Sequence, residues 1–100
     1  MNFVGIPILV QRLTNSTAVS GSYASLRCGS WAIPSNITYG WTKDGTALTV
    51  NSTRFTYYDL NSTLIIQNVV KGDAGRYRCQ PSNAIGNGEL TEAYLEVFCK

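Results

Sequence analysis

The stretch Asp73-Ala74-Gly75-Arg76-Tyr77-Arg78-Cys79 decides the fold, because Tyr77 and Cys79 hold one phase of an alternating run while Arg76 and Arg78 hold the other. That is the period of a strand with one face in a core and one in water, and the run carries on to Pro81. Cys28 stands 51 residues before Cys79, and Trp41 follows Cys28 by 13. Both lie in runs of the same period. Over Val19–Cys28, Ala24, Leu26 and Cys28 alternate with Tyr23, Ser25 and Arg27; Ile37, Tyr39 and Trp41 repeat the pattern up to a Lys43-Asp44-Gly45 turn. Arg54–Tyr58 is rich in aromatic and β-branched residues, and Thr63–Gln67 presents Leu64 and Ile66 to one side before Val69. After a loop over residues 83–88, Ala93, Leu95 and Val97 alternate with Tyr94, Glu96 and Phe98. Short strands broken by turn residues roughly every eight to twelve positions predict an all-β sandwich.

Composition agrees with one small domain, predicted over 1–100 with a strand core of about 4–98. Apolar residues reach 44%, enough for one core, while charged residues are only 14% against roughly a quarter in ordinary soluble domains. Polarity comes from 9 Ser, 10 Thr and 8 Asn, which suit strands and turns better than helices. Net charge is +2 with no basic run, so neither nucleic acid nor a lipid surface is predicted as partner. The longest apolar stretch, Val4–Val10, is too short to span a bilayer and contains Pro7. Met1 and an end one residue past Cys99 predict a module excised from a longer protein.

The Cys28, Trp41, Asp73–Cys79 constellation closely resembles the immunoglobulin superfamily. Other residues narrow the resemblance to its intermediate set, common in adhesion molecules, receptor kinases and muscle filaments: Trp41-Thr42-Lys43-Asp44-Gly45, Thr63–Val69, and Asn83 with Gly86. The resemblance implies a β-sandwich of two antiparallel sheets with Greek-key connections, stapled by a Cys28–Cys79 disulfide packed against Trp41. It further implies that the Tyr77 hydroxyl bonds upstream backbone and that Arg54 and Asp73 bridge the bottom of the sandwich. The sequence departs from the family over Gly29–Asn36, with Trp31 and Ile33, and at Pro81.

Four N-glycosylation sequons begin at Asn15, Asn36, Asn51 and Asn61. Together with a disulfide framework they predict an extracellular address, on the ectodomain of a membrane protein whose anchor is outside this chain. Cys99 is left over, and three fates stay open for it: pairing outside the chain, an interchain disulfide making a homodimer, or a free thiol. Catalysis is not expected, since the chain holds no His and its carboxylates do not converge. Asp44 and Asp59 read as turn residues and Asp73 as the partner of Arg54. No cofactor, metal or small-molecule substrate is predicted.

Strand phase places Arg76, Arg78 and Gln80 beside Tyr94 and Glu96 on one outer face, with Thr38, Gly40 and Thr42. This face is the predicted protein-contact surface, with Arg78 and Tyr94 as anchors. Its mixed charge suits homophilic pairing. The plainer alternative is a solvated ion pair between Arg76 or Arg78 and Glu96. Sugars on Asn15 and Asn61 are expected to cover the opposite sheet. Trp31, Ile33 and Ile85 are expected to meet at the loop end. The function implied is a recognition module of an adhesion molecule or receptor; a spacer in an intracellular filament and a soluble immune-type domain are the rivals.

Overall fold

The computed structural model describes residues 4–48 and 53–99. Among them the strands are β1 (Ile8–Gln11), β2 (Ser16–Val19), β3 (Ala24–Arg27), β4 (Gly29–Trp31), β5 (Thr38–Lys43), β6 (Thr46–Ala47), β7 (Phe55–Tyr58), β8 (Thr63–Ile66), β9 (Gly75–Ser82) and β10 (Thr91–Phe98). One sheet has the order β2-β10-β9-β5-β6 and another β3-β8-β7, while β1 and β4 form a two-stranded ribbon. Cys28 alone separates β3 from β4, where its N–H turns to the Ser62 carbonyl (2.8 Å), so the ribbon prolongs the smaller sheet beyond the end of β8.

Two expectations are corrected here. Val19–Cys28 is not one strand: Ser22 N–H bonds the Val19 carbonyl (2.9 Å) through Gly21 at φ 92°, so Val19 ends β2 and Ala24 begins β3. Nor is every pairing antiparallel, because β2 lies parallel to β10, Leu95 beside Ser16. The chain leaves the ribbon after Gln11 and crosses to the other sheet by Ser16, which sets that direction. By contrast β9 continues unbroken through Pro81, which is buried and pairs with Tyr39.

Leu26, Cys28, Trp41, Leu64, Ile66, Val69, Tyr77, Cys79 and Leu95 fill the space between the sheets. The Cys28–Cys79 disulfide joins the β3–β4 junction to β9 of the other sheet, with Cα atoms 6.4 Å apart. Trp41 packs in the same core, its ring centroid 6.1 Å from that of Tyr57, and its indole N–H is satisfied by the Asn61 carbonyl at 2.8 Å. The β5–β6 hairpin turns through Asp44 (φ 51°) and Gly45 (φ 85°), the left-handed pair that matches strand twist in a two-residue turn.

At the opposite end from the β1–β4 extension, a 3-10 turn (Lys71–Asp73) carries the expected Tyr77 contact and Arg54–Asp73 bridge. The Tyr77 hydroxyl donates to the Asp73 carbonyl at 2.6 Å. Arg54 donates to both carboxylate oxygens of Asp73, at 2.6 and 3.1 Å, and Val70 N–H donates to the same carboxylate at 2.9 Å. Burial pushes the Asp73 carboxyl up, yet these donors outweigh it and hold the group below the ordinary carboxylate range. Tyr77 goes the other way: burial, reinforced by the Asp73 charge, raises its phenol above the usual value.

Candidate functional site

The exposed face of the five-stranded sheet gathers the predicted contact residues. Cross-strand rows run Thr38–Ser82, Gly40–Gln80 and Thr42–Arg78 between β5 and β9, then Arg78–Glu92 and Arg76–Tyr94 between β9 and β10. Gly40 has no side chain to stand above the sheet, and a Cβ there would touch only the Gln80 carbonyl, at 3.9 Å. The result is a shallow groove of about 450 Å³ whose rim includes Thr38, Thr42, Arg78, Gln80, Ser82 and Leu90. Hydroxyls and amides share the lining with Tyr39, Trp41, Ala47 and Leu90: the Thr38 and Ser82 hydroxyls are 2.9 Å apart, and the Gln80 amide donates to the Gly88 carbonyl at 3.0 Å.

Beside the groove lies the charged cluster. The Arg76 guanidinium stands over the Tyr94 ring, 5.2 Å from its centroid, and donates to the Tyr94 hydroxyl from two nitrogens. Arg76 and Arg78 share Glu92, at 3.2 and 3.6 Å. The expected pairing with Glu96 is therefore corrected. Glu96 faces outward as predicted, but it sits opposite Thr17 of β2, and the hairpin register puts Glu92 across from Arg78. At the end of the face, Arg76 N–H donates to the Asp44 carboxylate (2.9 Å); that bond, and next the Lys43 ammonium at 3.3 Å, lower the Asp44 pKa.

A second correction concerns Asn15. Its side-chain carbonyl accepts the Tyr94 N–H at 2.9 Å, and Asn15, Ser16, Thr17, Tyr94 and Glu96 line one shallow depression. The Asn15 sequon thus borders the contact face rather than the opposite sheet, because β2 belongs to the β10 sheet. Asn36 lies exposed in the loop before β5, and Asn61 is exposed in the turn before β8 with φ 72°. Asn51 lies outside the described residues. Cys99, past the end of β10, is an exposed free thiol.

Arg54, Asp73 and Tyr77 bind one another and backbone, and no group of three or more potential metal ligands occurs among the described residues. Of the loop-end residues, Trp31 and Ile33 line one dimple with Ile6 and Ile8; Ile85 is not part of that lining, though a Cβ on its neighbour Gly86 would lie 3.3 Å from Ile6. Asn83 organises that end. Its side-chain amide donates to the carbonyls of Gly5 (2.9 Å) and Pro34 (3.1 Å), and its side-chain oxygen accepts from Ile85 and Gly86.

Comparison with known proteins identifies the architecture. The chain is 34% identical to protein turtle homolog A of Mus musculus over 95% of its own length, and spans only 8% of that protein. Among solved structures, it resembles an immunoglobulin domain in the titin M10–obscurin-like 1 complex at 26% identity and TM-score 0.85, covering 95% of this chain and 96% of that one. It also resembles Drosophila OTK extracellular domains 3–5 at 27% identity and TM-score 0.80, covering 92% of this chain and 31% of that one. The model of the immunoglobulin domain family matches residues 7–83, and with it the disulfide, the core tryptophan and the tyrosine contact described above. This chain belongs to the immunoglobulin domain family, whose domains are non-enzymatic.

Proposed function

We propose that the chain is an extracellular protein-recognition module of a cell-surface adhesion molecule or receptor, meeting its partner through the exposed face of β5, β9 and β10. The observation that carries this reading is the groove over Gly40, bordered by Arg78, with the stacked Arg76–Tyr94 pair farther along the same face beyond the Arg78–Glu92 row. Aromatic and Arg side chains supply most hot spots, and a depression beside them gives a partner side chain somewhere to enter. Glu92 and the two arginines give the face both signs of charge, which favours a polar protein over an apolar ligand and suits a second copy of the chain. The extracellular address is supported by four sequons, by an inter-sheet disulfide and by the likeness to OTK's extracellular domains. Asn15, Asn36, Asn51 and Asn61 are the proposed glycan carriers, with Asn15 limiting approach from the β2 side.

The test is binding of a multimeric form of the chain to a panel of displayed cell-surface proteins, itself included. Arg78→Ala with Tyr94→Ala should weaken the interaction roughly tenfold or more. A binder indifferent to both changes rejects the face. Likeness to titin domains favours a second reading, an intracellular filament spacer. Reduced cysteines and bare sequons in the native protein would establish that reading instead.

A further inference from the structure

The ribbon of β1 and β4 presents an apolar surface that the recognition face does not use. Val4, Ile6, Ile8, Val10, Trp31 and Ile33 are all substantially exposed, Ile8 at 61% and Val10 at 69%. Ile8 stands directly across from Trp31 in the ribbon. Ile85 adds a further exposed aliphatic side chain from the neighbouring loop. Single exposed apolar residues are ordinary, but a contiguous group of this size marks a contact surface. The group is also held in place: Gly5 N–H bonds the Ile33 carbonyl at 2.9 Å, and Asn83 clamps Gly5 and Pro34. It is not a loose end.

We infer that this surface pairs with the same surface of a second copy of the chain about a two-fold axis. Charge is the first argument. Residues 4–11, 28–38 and 83–88, which build this end of the molecule, contain no Asp, Glu, Lys or Arg. A two-fold axis sets a patch against itself, so any charge near its centre would meet its like; this patch has none to repel. The same absence argues against an anionic membrane, whose peripheral binders need basic side chains around the apolar ones. Shape is the second argument. The patch holds both a dimple of about 220 Å³, lined by Ile6, Ile8, Trp31 and Ile33 among others, and an exposed side chain, Val10, at the point where the pairing with β4 shifts register between Leu9 and Gln11. Knob and hole on one surface allow each copy to fill the other, as two sheet faces do when they pack nearly aligned. A patch of this extent belongs to the weak class, below about 1,200 Å² of total buried area. The pairing is independent of the β5–β9–β10 reading.

Sedimentation equilibrium of the chain in a Cys99→Ser background, which removes the exposed thiol, tests it. Concentration-dependent dimerisation is expected. Ile8→Glu and Ile8→Lys should each weaken it about tenfold or more, and an equimolar mixture of the two should restore it, because residue 8 lies mid-patch and opposite charges then face each other. Ile8 is exposed, so both variants should keep the wild-type circular dichroism. Arg78→Ala with Tyr94→Ala should leave this dimer unchanged. The inference is overturned if the chain stays monomeric at every attainable concentration, if the dimer ignores both charges, or if the mixture fails to recover. Binding to phosphatidylcholine vesicles through Ile8 by a chain that is monomeric in solution would also overturn it, in favour of lipid.

Discussion

Arg54 grips Asp73 with two nitrogens, at 2.6 and 3.1 Å, across the open end of the sandwich. The carboxylate is nearly buried and also accepts the Val70 N–H, whereas the guanidinium is about one-third exposed. Asp73→Ala takes away the carboxylate that Arg54 and the Val70 N–H share, leaving the guanidinium to the Asn68 carbonyl and the Phe55 ring. It should cost about 2–3 kcal/mol, less than a fully buried pair because Arg54 reaches water. Urea denaturation would measure it as a lower midpoint at unchanged slope.

The same pair sets an acid limb. The Asp73 carboxyl is held below its ordinary value, so its contribution to stability is complete above the unfolded-state pKa of about 3.9 and is lost as pH falls through the lowered folded-state value. Asp73→Asn should flatten stability against pH in that acid window and leave its shape near neutrality unchanged. Equal acid slopes in both proteins would assign the limb to other carboxylates.

Tyr77→Phe removes one hydroxyl from a fully buried ring and leaves the Asp73 carbonyl without that donor. A loss of about 1–2 kcal/mol is expected, read as a fall in Tm with the near-ultraviolet spectrum of the core otherwise kept.

Gly88 carries a less visible constraint. A Cβ at that position would lie 2.4 Å from the Pro7 carbonyl oxygen, a backbone atom that cannot swing aside. Gly88→Ala should therefore push β1 away from the start of β10 and cost about 1–3 kcal/mol, with amide exchange quickening in residues 5–11.

Much of this was legible in the residues, and the limits have one cause. Alternation identified which side chains face inward, so Cys28, Trp41, Tyr77 and Cys79 were found as core and Arg76, Arg78, Tyr94 and Glu96 as surface. Phase repeats every two residues, however, and so cannot separate Glu92 from Glu96; that choice depends on how residues 83–90 close the hairpin. The parallel docking of β2 on β10 escaped for the same reason. Ser16–Val19 is too short to carry a strong pattern, and its sheet is chosen by a crossing at residues 12–15, where Leu13 N–H bonds Thr91 and Asn15 bonds Tyr94. The apolar ribbon was visible only as a run of aliphatic residues. That its outer side stays uncovered is a property of the folded sheet.

Recognition through the β5–β9–β10 face is tested by binding of the multimeric chain to displayed surface proteins, wild type against Arg78→Ala/Tyr94→Ala, with Ser25→Arg on the opposite sheet as control. A specific binder, a loss of about tenfold or more for the double variant, and no change for the control are expected. Full binding by the double variant, or loss only with the control, would contradict it.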